Sequence, residues 1–170
     1  LLCGIVTDTL GFRTPSTTPE TLAAAGGLMR AGADLTECMR RAFFSRPLAT
    51  LRLEGLALER MVAHGPFVLS WLTLADFDAL GAAPEAGRGI VQTLATADEP
   101  LAVALLRERH DGRFDVSLRA TGAVNLVPAA AALGGGGHAL AAGGRTDGPL
   151  DAALAAVRAA LDAHALAAAR

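Results

Sequence analysis

The chain has 170 residues, 52% of them hydrophobic and 19% charged, with a formal net charge of -2. That length holds one domain, or a small domain and part of another, with ample apolar content for a packed core. The small net charge excludes a protein that coats long nucleic acid by neutralising many phosphates, and leaves short or small anionic ligands open.

Positive charge is carried by Arg alone, since the sequence contains no Lys. The apolar stretches are interrupted by charges or glycines well before the roughly twenty residues a membrane-spanning helix needs. Cys3 and Cys38 form no CxxC pair, so neither a zinc site nor a disulfide scaffold is expected, and the setting reads as reducing and cytoplasmic.

Leu1-Leu2-Cys3-Gly4-Ile5-Val6 has no starting Met and no basic leader. It reads as the inside of a β-strand, which implies that the chain begins in mid-domain. Thr7 to Pro19 is rich in Thr, Pro, Ser and Gly and reads as loop. Thr18-Pro19-Glu20 supplies a cap, a first-turn proline and an early acid, which predicts a helix from Pro19 to Ala31, stopped by Gly32. Asp34 and Glu37 have the spacing that caps a second helix through Phe44, broken by Ser45-Arg46-Pro47. From Pro47 to His64, Leu48, Leu51, Leu56, Leu58 and Met61 recur at helical spacings between charges, as in an amphipathic linker helix. Gly65-Pro66 then reads as a domain boundary. The expected division is residues 1–46, a linker helix 47–64 and a second domain 65–170.

The second half alternates. Phe67 to Thr73 reads as a strand, Leu74 to Leu80 as a short helix and Pro84 to Ala97 as a longer one. Leu101 to Arg109 and Arg113 to Ala120 are two apolar strands around His110-Asp111-Gly112, a hairpin signal. Val124 to Leu133 reads as helix, the glycine run interrupts it, and Leu150 to Ala169 reads as a closing helix. The pattern is that of a mixed α/β domain.

Three places could carry chemistry. Asp8 follows the opening apolar run, where a strand-end acid acts either as a ligand-binding residue or as the residue of an Asx turn. Gly134-Gly135-Gly136-Gly137-His138, between two helical segments, could converge its backbone N–H groups on a phosphate or carboxylate, with a helix N-terminus and His138 assisting. Its other reading is a flexible helix-ending loop. Arg119, at the end of Asp115-Val116-Ser117-Leu118, is placed either as an anion clamp or as a solvated strand-end Arg. Arg13, in the loop after Asp8, has the same two readings. His64, His110 and His164 receive no role.

Gly4-Ile5-Val6-Thr7-Asp8-Thr9-Leu10-Gly11-Phe12-Arg13, followed by Thr17-Thr18-Pro19-Glu20-Thr21, resembles the last motif of a DHH catalytic domain. Val116-Ser117-Leu118-Arg119, followed by Gly134 to His138 and Ala141-Ala142-Gly143, resembles the DHH-associated domain with its glycine-glycine-glycine-histidine signature. The resemblance covers nearly the whole chain. It implies an α/β fold: the end of a parallel-sheet DHH catalytic domain, a linker helix and a mixed-sheet DHH-associated domain.

The family relatives that this chain resembles are bacterial nanoRNases, oligoribonucleases that also dephosphorylate 3′-phosphoadenosine 5′-phosphate. The implied activity is hydrolysis dependent on manganese, or alternatively magnesium, at a two-metal site in the cleft between domains. Asp8 would be a metal ligand. Arg119, Gly134, Gly135, Gly136, Gly137 and His138 would hold the nucleotide's phosphate or terminal end, with Arg13 as a further candidate. The implied partners are short RNA or a nucleotide phosphate and the remainder of the DHH domain, with no membrane, and with monomer or homodimer left open. The Asp-His-His motif does not occur in these residues, and Leu10 stands where many members carry Gly, so the chain by itself is expected to lack a complete catalytic set. The competing readings are a non-catalytic nucleic-acid-binding module of the kind found in alanyl-tRNA synthetase-like proteins, a RecJ-like single-strand exonuclease, and an oligomerisation module.

Overall fold

The computed structural model describes residues 1–121 and 124–164. The chain divides into two compact units, Leu1–Pro47 and Leu48–Arg170. None of the helices among the described residues is long and apolar enough to cross a membrane.

The first unit is helical, with α1 (Leu2–Asp8), α2 (Pro19–Arg30) and α3 (Leu35–Met39), the last running into a wide π-type turn over Arg40–Phe44. The opening segment is therefore a helix and not the expected strand. A short apolar run does not discriminate between the two, and what decides is the spacing of its buried members. Leu2 and Val6, four residues apart, face Ala25 and Cys38 in a small core, with Ile5 packed against it. Both predicted caps are present: the Thr18 hydroxyl accepts from the Thr21 N–H, and the Asp34 carboxylate accepts from the Glu37 N–H. Cys3 of α1 and Cys38 of α3 form a disulfide across Cα atoms 5.1 Å apart, contrary to the unpaired cysteines expected from sequence. Spacing along the chain carries no sign of this pairing, because packing of α1 on α3 creates it.

The second unit begins with α4 (Leu48–Glu59). Its expected last turn is instead strand β1 (Val62–His64), which pairs with β2 (Phe67–Leu72). Gly65-Pro66 is the turn of that hairpin, with Gly65 at φ +55°. After β2 come α5 (Leu74–Leu80), a 3-10 turn (Pro84–Gly87) and α6 (Ile90–Leu94). The single helix expected over Pro84 to Ala97 is split by Gly89 at φ +89°. Strands β3 (Ala102–Glu108) and β4 (Phe114–Ala120) form the expected hairpin, with Gly112 at φ +76° in its turn. Helix α7 (Val127–Ala132) starts later than expected because Pro128 is accommodated only in a first turn. Strands β5 (Gly136–His138) and β6 (Ala141–Thr146) follow, and α8 (Leu150–His164) closes the described chain, its expected continuation to Ala169 lying outside the described residues.

The sheet is mixed, in the order β1-β2-β3-β4-β6-β5, and only β2 and β3 run parallel. One face buries Phe67, Leu106, Phe114, Val116 and Leu118 under α7 and α8. The other face buries Leu72, Val103 and Leu105 under Leu53 and Ala57 of α4, Phe77 of α5 and Ile90 and Leu94 of α6. That second core takes no residue from β4, β5 or β6. On that face the apolar core stops at β3, although α6 extends as far as β4.

Two further links pin the helices to the sheet. His64 Nε2 lies 2.8 Å from Asp162 of α8. Arg60 donates to both carboxylate oxygens of Asp76, at 2.5 and 2.8 Å, and Asp76 also accepts from the N–H and hydroxyl of Thr73 at the start of α5. The Arg60 guanidinium, helped by Thr73, holds the Asp76 carboxyl down to about 2 from its usual 3.8 against the opposing effect of burial. Folding therefore favours the charged form, and the contribution is complete above pH 4 and lost as pH falls through 2. Urea denaturation should show about 2 kcal/mol of stability disappearing across that interval. In Asp76→Asn the same interval should lose correspondingly less.

Candidate nucleotide-binding face

Strand β4 alternates Phe114, Val116 and Leu118, all buried, with Asp115, Ser117 and Arg119. Period-two geometry sends the second set to the face that carries the second core, beyond the edge of its buried apolar residues. Register extends this set across the sheet. Arg119 pairs with Ala141, and Ala141 with His138. Ser117 pairs with Gly143, and Gly143 with Gly136. Directly paired residues share a face, so Arg119 and His138 stand in one cross-strand row, their Cα atoms two strand spacings or about 10 Å apart. The next row is a floor of Ser117, Gly143 and Gly136, nearly free of side-chain bulk.

Arg119 is half-buried, and burial pushes its guanidinium below the usual arginine value. It stays a cation at neutral pH. Its Nη1 donates to the Leu118 carbonyl at 2.8 Å, and among the described residues it has no carboxylate partner. A half-desolvated cation without counter-charge, beside an exposed imidazole and a floor without side chains, is suited to an anion brought from outside.

The glycine run lies on this face, but not as a helix N-terminus. It leaves the C-terminal end of α7 and enters strand β5, so no positive helix end serves it, in contrast to the sequence expectation. The Gly134 N–H bonds the Ala131 carbonyl and the Gly135 N–H bonds the Ala130 carbonyl, so both close α7. A Cβ on Gly135 would lie 2.5 Å from the Gly144 Cα, and one on Gly137 2.6 Å from the Ala141 carbonyl oxygen. A Cβ on Gly136 meets nothing within 4 Å. Of the four, Gly136 faces open space at the floor row, while Gly135 and Gly137 are required by close backbone packing.

Asp8 is the exposed last residue of α1 in the first unit. It leads into Leu10, Gly11 and Phe12 at φ +48°, +71° and +66°, three successive left-handed residues of which two carry side chains. Such conformations cost of order 1 kcal/mol or more each for residues other than Gly, and they concentrate at functional loops. The Thr9 hydroxyl braces the turn by accepting from the Phe12 N–H, and Arg13 Nε donates to the Leu10 carbonyl at 2.8 Å. Arg13 is thus occupied in holding its own loop. Among the described residues no group of three or more His, Cys, Asp or Glu side chains is placed to hold a metal ion. Asp8 by itself does not fit a divalent cation, which requires several oxygen ligands.

Sequence reading passed over Ser117, Gly143 and Gly136 as a unit, and also Arg107 and Arg145. The polar alternation of β4 signals the first of these; the others emerge only from register.

A six-stranded mixed sheet with helices packed on it defines a mixed α/β unit. The chain belongs to the DHHA1 domain family, the DHH-associated part of DHH-family phosphoesterases, with the family model matching residues 67–163. It is 36% identical over 148 residues to the bifunctional oligoribonuclease and PAP phosphatase NrnA of Thermus thermophilus, an alignment that takes in 87% of this chain and 44% of that protein. An exopolyphosphatase-related protein from Bacteroides fragilis superposes with a TM-score of 0.85 at 26% identity over 94% of this chain and 47% of its own. A pGpG-specific phosphodiesterase, PggH from Vibrio cholerae, shares the fold at a TM-score of 0.55 and 15% identity over 96% of this chain and 57% of its own. The chain spans about half the length of these relatives.

Proposed function

We propose that this chain is the nucleotide-holding part of a metal-dependent phosphoesterase acting on short oligoribonucleotides or nucleotide phosphates. The observation that carries the reading is the half-buried Arg119, without a carboxylate partner among the described residues, in one cross-strand row with His138 above the Ser117–Gly143–Gly136 floor. The likeness to the Thermus enzyme supports the substrate class. Arg119 supplies a two-pronged donor to a phosphate, the His138 ring supplies a second donor, and Gly136 lets the ligand approach the backbone. Manganese or magnesium would activate water and offset charge at phosphorus in the complete protein. Asp8 would be one of its ligands, and the others would come from residues beyond this chain.

The test is titration of adenosine monophosphate into the 170-residue chain by NMR, without metal. Arg119→Ala should weaken binding by about 1.5 to 3 kcal/mol, the worth of a hydrogen bond to a charged group. His138→Ala should cost less, because it removes a single donor where Arg119 presents two. Amide shifts clustered away from Arg119 and residues 136 to 138, or variants that titrate like wild type, would overturn the reading.

A further inference from the structure

One row beyond the glycine and serine floor, away from Arg119, three guanidiniums share one carboxylate. Arg145 Nε lies 3.2 Å and Arg109 Nη1 3.1 Å from Asp115 oxygens, and Arg107 Nη2 is 3.9 Å away. Arg107 and Arg145 flank Asp115 in the strand register, so all three belong to the same face of the sheet as Ser117 and Arg119. Arg107 is mostly buried, and Arg88 and Arg109 repel its charge. Arg88 has no hydrogen-bonded or ion-paired side-chain partner among the described residues. Of the other acids nearby, Asp111 is engaged by Arg109 and Arg113, and Glu108 by the Leu74 N–H. Asp78, Glu85 and Arg88 line an adjoining cavity to which Arg107, Arg109 and Asp115 also contribute. A depression of about 390 Å³ opens between the cluster and the floor, lined by Arg107, Asp115, Ser117, Gly134, Gly143 and Arg145.

We propose that this cluster is a second phosphate subsite, so that the face holds a ligand with phosphates at both ends of the floor. One is held at Arg119 and His138, the other among Arg107, Arg109 and Arg145, with a sugar over Ser117 and Gly143. Charge supports this occupant: Arg107, Arg109 and Arg145 share Asp115, and the one further acid among their partners, Asp111, is divided between Arg109 and Arg113, so the guanidiniums stay under-neutralised and a phosphate completes their hydrogen bonds. Length supports it too. Asp115 and Arg119 are four residues apart on one strand, about 13 Å, which an oligonucleotide with successive phosphates spans and a nucleotide with one phosphate does not. The proposal rests on the nucleotide reading of Arg119 above, and its substrate class is narrower: chains of two or more linked nucleotides.

The experiment compares adenosine monophosphate with the 5′-phosphorylated trinucleotide pApApA, both titrated into the 170-residue chain at one salt concentration. The trinucleotide should bind at least about tenfold more tightly. Arg145→Gln, at an exposed position, should remove most of that advantage and leave the monophosphate affinity unchanged. Asp115→Asn should act in the opposite direction and tighten the trinucleotide, because it removes the acid that competes for the guanidiniums. Equal affinities for the two ligands, or a trinucleotide preference that survives Arg145→Gln, overturn the second subsite. In that case a loss caused by Arg119→Ala still upholds the nucleotide reading. Cluster variants that act while Arg119→Ala is silent uphold an anion site here and overturn the reading at Arg119 instead.

Discussion

Alanine at position 135 should lower the stability of the second unit by about 3 kcal/mol, near the upper end for overpacking, whereas alanine at position 136 should leave it unchanged. The two glycines are adjacent, and both were expected to admit a ligand. The backbone separates them. A Cβ on Gly135 would enter the Gly143–Gly144 segment of β6, at 2.5 Å from the Gly144 Cα and 2.8 Å from the Gly143 carbonyl carbon. Neither atom can rotate away, so β6 would have to shift from α7 as a whole. On β6 itself, Gly144 has the same constraint from the other side, since a Cβ there would lie 2.7 Å from the Leu133 carbonyl oxygen. Gly136 has open space above it, so a large side chain there obstructs only what comes from solvent. Gly136→Leu should therefore weaken adenosine monophosphate binding with an unchanged melting temperature, while Gly135→Ala lowers the melting temperature first. Equal melting temperatures for Gly135→Ala and wild type would show that β6 yields more easily than its packing implies.

Reducing the Cys3–Cys38 bond, or replacing both residues by alanine, should destabilise the first unit by about 3 to 4 kcal/mol on the chain-entropy account. The bond closes a loop with a sequence separation of 35 around a core whose fully or nearly buried members are Leu2, Val6, Ala25 and Cys38. So small a core supplies little stability by itself. Non-reducing mass spectrometry should give an intact mass lower by two hydrogens than the reduced protein. Denaturant titration, followed by hydrogen exchange in α1 and α3, should then show the first unit opening earlier after reduction, with the second unit unaffected. Cysteines that react freely with a thiol reagent in the native protein would refute the bond.

What the sequence determined by itself lies in features that act over a few residues. Thr18 and Asp34 cap helices because a side-chain oxygen reaches an N–H three residues on. Gly112 closes the β3–β4 hairpin because its φ is accessible to glycine at no cost. The alternation Asp115, Ser117, Arg119 shows that one face of β4 is polar, and the family motifs are themselves local strings. Tertiary structure decided the rest. Leu2, Ile5 and Val6 satisfy a strand or a helix equally until Ala25 and Cys38 supply a surface four residues deep for them to cover. The glycine run serves as a helix C-terminus and an edge strand because Ala130, Ala131 and β6 take its hydrogen bonds and its close contacts. Arg119 and His138, nineteen positions apart, meet in one row only through the register of two strand pairs. That register, together with a second apolar core that stops at β3, shapes the candidate site, because pairing and coverage depend on chain segments that no local pattern connects.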